Sequence, residues 1–176
     1  HHYSLATGLG LAQEAARYLR LAAEAAERQL ALSDAAELFE RASAHVGRGI
    51  DRDRLVLEAA RCHLLAGHRL RALELDDEVA GSDDPELRLR AAMGFEAASA
   101  RGRFGAHHAL ALLRRAIETS GRADDDPLVI RATGALASAL ALSGEADEGL
   151  RQSRRAIARA RERGDRDLLA AVLDSS

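Results

Sequence analysis

One pattern of small and large residues recurs along the chain and constrains its fold more than any other feature. A small residue is followed four positions later by a large one, and three positions after that by another small one. This packing triplet occurs at Ala35, Phe39 and Ala42; at Ala72, Asp76 and Val79, a degenerate copy; at Ala109, Leu113 and Ala116; and at Gly149, Ser153 and Ala156. The first members are offset by 37, 37 and 40 residues. Such spacings place all three side chains on one helix face, where small residues let two backbones approach and the large residue fills the gap.

Signals for helix starts repeat with a similar period. Asp-Asp-Pro occurs at residues 83–85 and again at 125–127, which places an acidic N-cap before a proline in the first helical turn, where the missing N–H costs nothing. Asp-Arg-Asp at 51–53 and at 165–167 opens two further helices. The four starts lie about 38 residues apart on average, close to the period of helix-pair repeats.

Together these signals predict first and second helices that alternate along the chain. A long opening helix is predicted over 11–30, and a partial helix over 167–174. First helices are predicted over 52–66, 85–101 and 127–143, and second helices over 34–45, 68–80, 106–120 and 146–163. Glycine-containing turns separate them.

The composition favours an all-α protein without a membrane span. Apolar residues make up 47% of the chain but aromatic residues only 3%, so alanine and leucine dominate, and both are good helix formers. The net charge of −3 comes from interspersed acids and arginines, which argues against a nucleic-acid surface. A single cysteine excludes an intramolecular disulfide, and we expect a reducing cytoplasm.

The predicted fold is a right-handed superhelix of antiparallel helix pairs, a tetratricopeptide-like α-solenoid. We expect one domain over residues 1–176, with about four helix pairs and the partial helix. One pair alone exposes too much alanine and leucine, so neighbouring pairs must cover that face. Gly94 and Gly134, at equivalent positions of two first helices, indicate close approach of a backbone or a ligand, and tight helix packing is the favoured interpretation.

First helices of such a stack line a concave groove, which is the predicted binding site. The residues placed on or beside this inner face are Arg54, Leu57, Arg61, Leu64, Met93, Arg101, Arg131 and Ser138. Arginines among leucines suit a peptide carboxylate or an anionic ligand, because a guanidinium group binds a carboxylate through two hydrogen bonds. The alternative is that these arginines pair with nearby acids on their own helices.

Other clusters of polar residues favour structural roles, and no catalytic or metal site is predicted. His107 and His108 are neighbours and point apart on a helix, whereas His63 and His68 could converge across the Gly67 turn. The aspartates at 124–126 suit N-capping better than calcium, and the acids at 76–78 are expected on an exposed helix face. Cys62 is expected in the core.

The opening segment resembles a known family. Its run comprises His-His-Tyr at 1–3, a glycine turn at 8–10, Ala-Ala-Arg-Tyr-Leu-Arg at 15–20, Leu-Ala-Leu-Ser at 30–33 and Ala-Ala-Glu-Leu-Phe-Glu-Arg-Ala at 35–42. This run is similar to the segment that follows the ATPase module in large bacterial LuxR-type, or MalT-like, transcription regulators and in related ATPase-linked nucleotide cyclases. The later repeats, especially the stretch from Gly144 through Asp165, resemble the helical repeats of the same proteins.

The resemblance implies a non-catalytic sensor and interaction segment within a longer regulator. Its expected ligand is a protein or peptide partner, or a small-molecule effector, and no cofactor is expected. A stand-alone scaffold or adaptor is the alternative. Because neither end of the predicted stack has a polar capping repeat, a homodimer is also expected.

Overall fold

The described part of the chain is all-helical. A computed structural model describes the backbone of residues 2–102 and 105–174 and the side chains of residues 11–101 and 105–174. These residues form helices joined by turns and contain no strand. They divide into two compact units, His1–Asp83 and Asp84–Ser176, which are described separately below. The single domain expected over 1–176 stays a prediction.

The first unit contains four helices in which each packs against the next. They are α1 (His2–Arg28), α2 (Leu32–Ala44), α3 (Ile50–Leu65) and α4 (Arg69–Val79). Helix α2 packs against both α1 and α3, and α3 packs against α4. Short connections make consecutive helices antiparallel, so α1 and α3 run in the same direction.

The second unit contains five helices with the same sequential packing. They are α5 (Pro85–Gly102), α6 (Ala106–Glu118), α7 (Pro127–Leu142), α8 (Ala146–Glu162) and α9 (Arg166–Asp174). In addition α5 packs against α7, and α7 against α9. Within each unit the helices therefore follow one another as stacked pairs, which agrees with the predicted helix-pair architecture.

The packing triplets form the helix contacts predicted for them. In α2, Ala35 and Ala42 are fully buried and Phe39 is nearly so. In α6, Ala109, Leu113 and Ala116 are buried in the same way. The pattern thus identifies the buried face of the second helices.

The acidic N-caps are also confirmed. The Asp126 carboxylate accepts a hydrogen bond of 2.8 Å from the backbone N–H of Leu128, and Pro127 occupies the first turn of α7. The Asp84 carboxylate accepts one of the same length from Glu86 at the start of α5. Helix α9 begins similarly, with Asp165 accepting from the N–H of Leu168.

Two expectations about glycine meet different outcomes. The turn expected at 8–10 is wrong, because α1 runs continuously from His2. Glycine inside a helix costs about 1 kcal/mol relative to alanine, but no proline stops the helix there. Gly134 is buried in α7, and the α5 helix that carries Gly94 packs against α7.

Gly149 marks the closest helix approach among the glycines whose surroundings the structure describes. A Cβ atom at this position of α8 would lie 2.9 Å from the carbonyl oxygen of Ala137 and 3.3 Å from the amide nitrogen of Ala141, both in α7. Only glycine leaves room for this contact. The fourth packing triplet therefore starts with a glycine for a steric reason.

Candidate functional site

A groove of the first unit lies between α1 and α3. Its volume is about 580 Å³. Its apolar floor includes Phe39 from α2 and Leu55 from α3, and its walls carry charged side chains. The described residues that line it are Ala16, Arg17, Arg20, Glu24, Glu27, Phe39, Val46, Asp51, Arg54, Leu55 and Glu58. We call this site the α1–α3 groove.

An ion pair across the groove fixes the register of its two walls. The Arg61 guanidinium of α3 lies 2.8 Å from the Glu27 carboxylate of α1. These two residues are 34 positions apart in the sequence. The same offset of 34 positions relates Arg17 to Asp51, Arg20 to Arg54 and Glu24 to Glu58 along the two walls.

Of the predicted groove residues in the first unit, one lines this groove. Arg54 is part of the α3 wall, and its guanidinium lies 3.6 Å from the Asp51 carboxylate. Arg61 lies beside the groove and pairs with both Glu58 and Glu27. Leu57 and Leu64 are half-buried in α3 and are not part of the lining. Each arginine therefore has an acidic partner on its own helix, and Arg61 has a second one on α1.

The remaining predicted groove residues lie in the second unit. The Ser138 hydroxyl of α7 donates a hydrogen bond of 2.6 Å to the Glu96 carboxylate of α5. Burial raises the pKa of Glu96, while the Ser138 hydrogen bond and the charge of Arg101 oppose that shift. Met93 is half-buried, and Arg131 is exposed on α7. The structure thus brings Ser138 and Arg101 together around a buried carboxylate.

The histidines flanking Gly67 do converge, in a network that joins three helices. The Nδ1 atoms of His63 and His68 are 3.2 Å apart, and His63 Nε2 lies 2.6 Å from Glu40 Oε1. Arg71 also donates to the Glu40 carboxylate. Hydrogen bonds from Arg71 and His63 hold the pKa of Glu40 below its ordinary value, against partial burial.

This network connects α2, α3 and α4. Within the described residues, no three histidine, cysteine, aspartate or glutamate side chains come together as a metal site. Because Glu40 lies on α2, His63 on α3 and Arg71 on α4, we interpret the network as a structural connection between helices.

The aspartates at 124–126 have separate structural partners. Asp124 accepts hydrogen bonds from Arg155 and Arg159 of α8, at 2.5 and 3.2 Å. Arg163 of α8 donates to the backbone carbonyl of Asp125. Asp126 caps α7 and pairs with Arg122 at 2.9 Å. The N-cap interpretation of this run is therefore correct, and the run also anchors α8.

The expectation that the acids at 76–78 are solvated is wrong for Asp76. Its side chain is buried, with 4% of the residue exposed, whereas Asp77 and Glu78 are exposed. Asp76 holds the large position of its packing triplet, which faces the interior. Burial raises the pKa of Asp76 well above its ordinary value.

Cys62 and His108 occupy packed positions. Cys62 is fully buried, as predicted, and burial raises the pKa of its thiol. The His108 ring meets the Phe95 ring edge-on, with centroids 4.9 Å apart, although both His107 and His108 are exposed.

Sequence reasoning missed the wall that α1 contributes. The charged wall residues Arg17, Arg20, Glu24 and Glu27 were not among the predicted groove residues. The available signal was their 34-residue offset from Asp51, Arg54, Glu58 and Arg61.

No membrane-spanning candidate is found among the described helices. A comparison with protein families, characterised proteins and solved structures finds no match for this chain.

Proposed function

We propose that this chain is a non-catalytic interaction and sensor module of a multidomain bacterial transcription regulator. It binds a protein segment or a small effector and passes the signal to attached domains. In this proposal the helix pairs belong to a right-handed tetratricopeptide-like superhelix. The resemblance of the opening segment to MalT-like regulators supports the regulatory context.

The observation that carries the proposal is the α1–α3 groove. It combines an apolar floor with charged walls, as ligand sites commonly do. Its volume of about 580 Å³ lies within the range typical of ligand sites, roughly 300–1,000 Å³. Both walls are rigid helices, so little ordering is needed on binding.

A blocking substitution tests whether the groove binds ligands. Arg54→Trp places an indole in the groove at a side chain that is 62% exposed, so the core is undisturbed. We expect peptides from a display library, or small molecules found by thermal shift, to lose binding to this variant. The matched control is Arg41→Trp on exposed α2 surface outside the lining. Ligands that bind both variants equally would refute the groove as the binding site.

The stand-alone adaptor remains the second candidate, and it uses the same groove. The complete reading frame separates the two. An ATPase module and a DNA-binding domain in the same frame support the regulator, whereas their absence supports the adaptor. Effector-dependent change in the output of the joined domains would then measure signalling directly.

A further inference from the structure

Charges on the two walls of the α1–α3 groove follow a regular order. We call each pair of wall positions 34 residues apart a level of the groove. In the register of the Glu27–Arg61 ion pair, the two inner levels carry like charges: Arg20 aligns with Arg54, and Glu24 aligns with Glu58. At the two outer levels the charges are opposite, Arg17 with Asp51 and Glu27 with Arg61. The groove therefore has one cationic and one anionic level side by side.

The inner levels are separated by four residues on each wall. At a helical rise of 1.5 Å per residue, that separation is about 6 Å along the groove. Side chains four residues apart on a ligand helix have the same axial spacing and share one face. The floor between the walls is apolar, with Phe39 and Leu55.

We infer that the α1–α3 groove binds a helical protein segment with an acidic and a basic side chain four residues apart on its contacting face. The acid binds between Arg20 and Arg54, and the base between Glu24 and Glu58. An apolar side chain of the segment contacts the floor. This inference rests on the proposed function, and it specifies the chemistry of the partner.

A helix suits this groove better than an extended segment does. An extended chain carries unpaired backbone N–H and C=O groups that need partners. The walls are helices whose own backbone groups are already bonded, and the lining residues that the structure describes include no amide or hydroxyl side chain. A helical ligand satisfies its own backbone, so only side-chain recognition remains.

The existing ion pairs of the walls do not compete strongly with a ligand. Arg20 pairs with Glu24 at 2.5 Å, and both side chains are partly exposed, at 48% and 34%. Arg54 and Asp51 are 3.6 Å apart and more exposed still. Glu58 pairs with Arg61 at 2.9 Å, and these two side chains are 50% and 43% exposed. Exposed pairs of this kind contribute little to stability, so an incoming acid or base can replace them. Partial exclusion of water by the ligand then strengthens the new pairs.

Charge-altered grooves test the inference with a displayed library of helical peptides randomised on one face. The wild-type chain should enrich peptides with one acid and one base four residues apart. Arg20→Glu with Arg54→Glu should shift the enrichment to two bases, and Glu24→Arg with Glu58→Arg to two acids. Peptides selected on the wild type should bind either variant about tenfold more weakly. This design does not depend on the direction in which a peptide lies.

A matched variant and the possible outcomes keep the two proposals distinct. Arg41→Glu with Arg48→Glu changes the net charge equally outside the groove and should leave peptide binding unchanged. Circular dichroism verifies that all variants fold. Enriched peptides without the acid–base pair, or with charges two residues apart, overturn this inference while groove binding stands. If no enriched peptide is weakened by Arg54→Trp, the proposed function itself fails.

Discussion

At the scale of single residues, Asp76 is an acidic side chain at a buried position. It fills the large position of a packing triplet, where Phe39 and Leu113 stand in two other copies. A buried carboxyl group is stabilised in its neutral form, which is why burial raises its pKa. The packing triplet predicted that the Asp76 side chain faces the interior, whereas the run of acidic residues predicted that it faces solvent. The structure agrees with the packing triplet.

The buried carboxyl group gives a pH-dependent contribution to stability. Because its pKa in the folded state lies above the unfolded value, its contribution is greatest below the unfolded pKa of about 3.9 and decreases as pH rises toward the folded pKa. Asp76→Asn should remove that decrease. Urea unfolding over a pH series measures the difference in free energy of unfolding between the wild type and the variant. The contributions of the other carboxyl groups cancel in this difference. A constant difference across pH would contradict the assignment, and exposed Asp77→Asn is the control.

Gly149 supplies a second prediction at the residue scale. Alanine is the better helix former, yet its Cβ atom would lie 2.9 Å from the Ala137 carbonyl oxygen. We expect Gly149→Ala to destabilise the fold by about 1–3 kcal/mol, as overpacking does. Thermal or urea unfolding measures the change. Gly47→Ala, with no atom near its added Cβ, should be nearly neutral, and equal effects would refute the steric account.

At the scale of helices, the sequence predicted most boundaries closely. The N-cap aspartates, the prolines and the glycine turns are local signals, and they act before tertiary packing does. Helix α7, for example, begins at Pro127 as predicted. The exception is α1, which begins at His2 and not at residue 11. The glycines at positions 8 and 10 indicated a turn there, so local signals placed the start of the helix too late.

The cap of α7 can be tested directly. Partial burial opposes ionisation of Asp126, but the Leu128 N–H and the Arg122 guanidinium hold its pKa below the ordinary value. Asp126→Ala should cost about 1 kcal/mol at neutral pH, as lost N-caps do. The cost should diminish as pH falls through the folded pKa, because the cap is then protonated in the wild type. Asp125→Ala is the control in the same turn, and a pH-independent cost would contradict the explanation.

At the scale of the whole molecule, helix pairing was predictable but the site was only partly so. Small-residue spacing determines which helix faces meet, and it is visible in the sequence at Ala35 and Ala42. The acidic partner of an arginine is not visible in the sequence, because the long arginine side chain can reach acids on its own helix or on a neighbouring helix. Arg61 does both, with Glu58 and Glu27. Contacts between helices, such as the one between Arg61 and Glu27, determine which face of α1 lines the groove.

Exposed apolar residues on α1 predict self-association. Leu11 and Tyr18 lie seven residues apart on one face and are 67% and 70% exposed. Such patches favour contact with another apolar surface. We expect light scattering to show dimers at high protein concentration, and Leu11→Arg with Tyr18→Arg to abolish them. Leu70→Arg, at an equally exposed position of α4, is the control. A wild-type chain that stays monomeric throughout would contradict this.

The reactivity of Cys62 can report transient local opening of the first unit. It is the sole thiol of the chain and has no exposed surface, and burial keeps it protonated. A thiol reagent can reach it only while α3 is detached from its neighbours. The trapping rate therefore reports how often that detachment happens. Since α3 is also a wall of the groove, a ligand bound in the groove should slow the modification of Cys62 by the reagent.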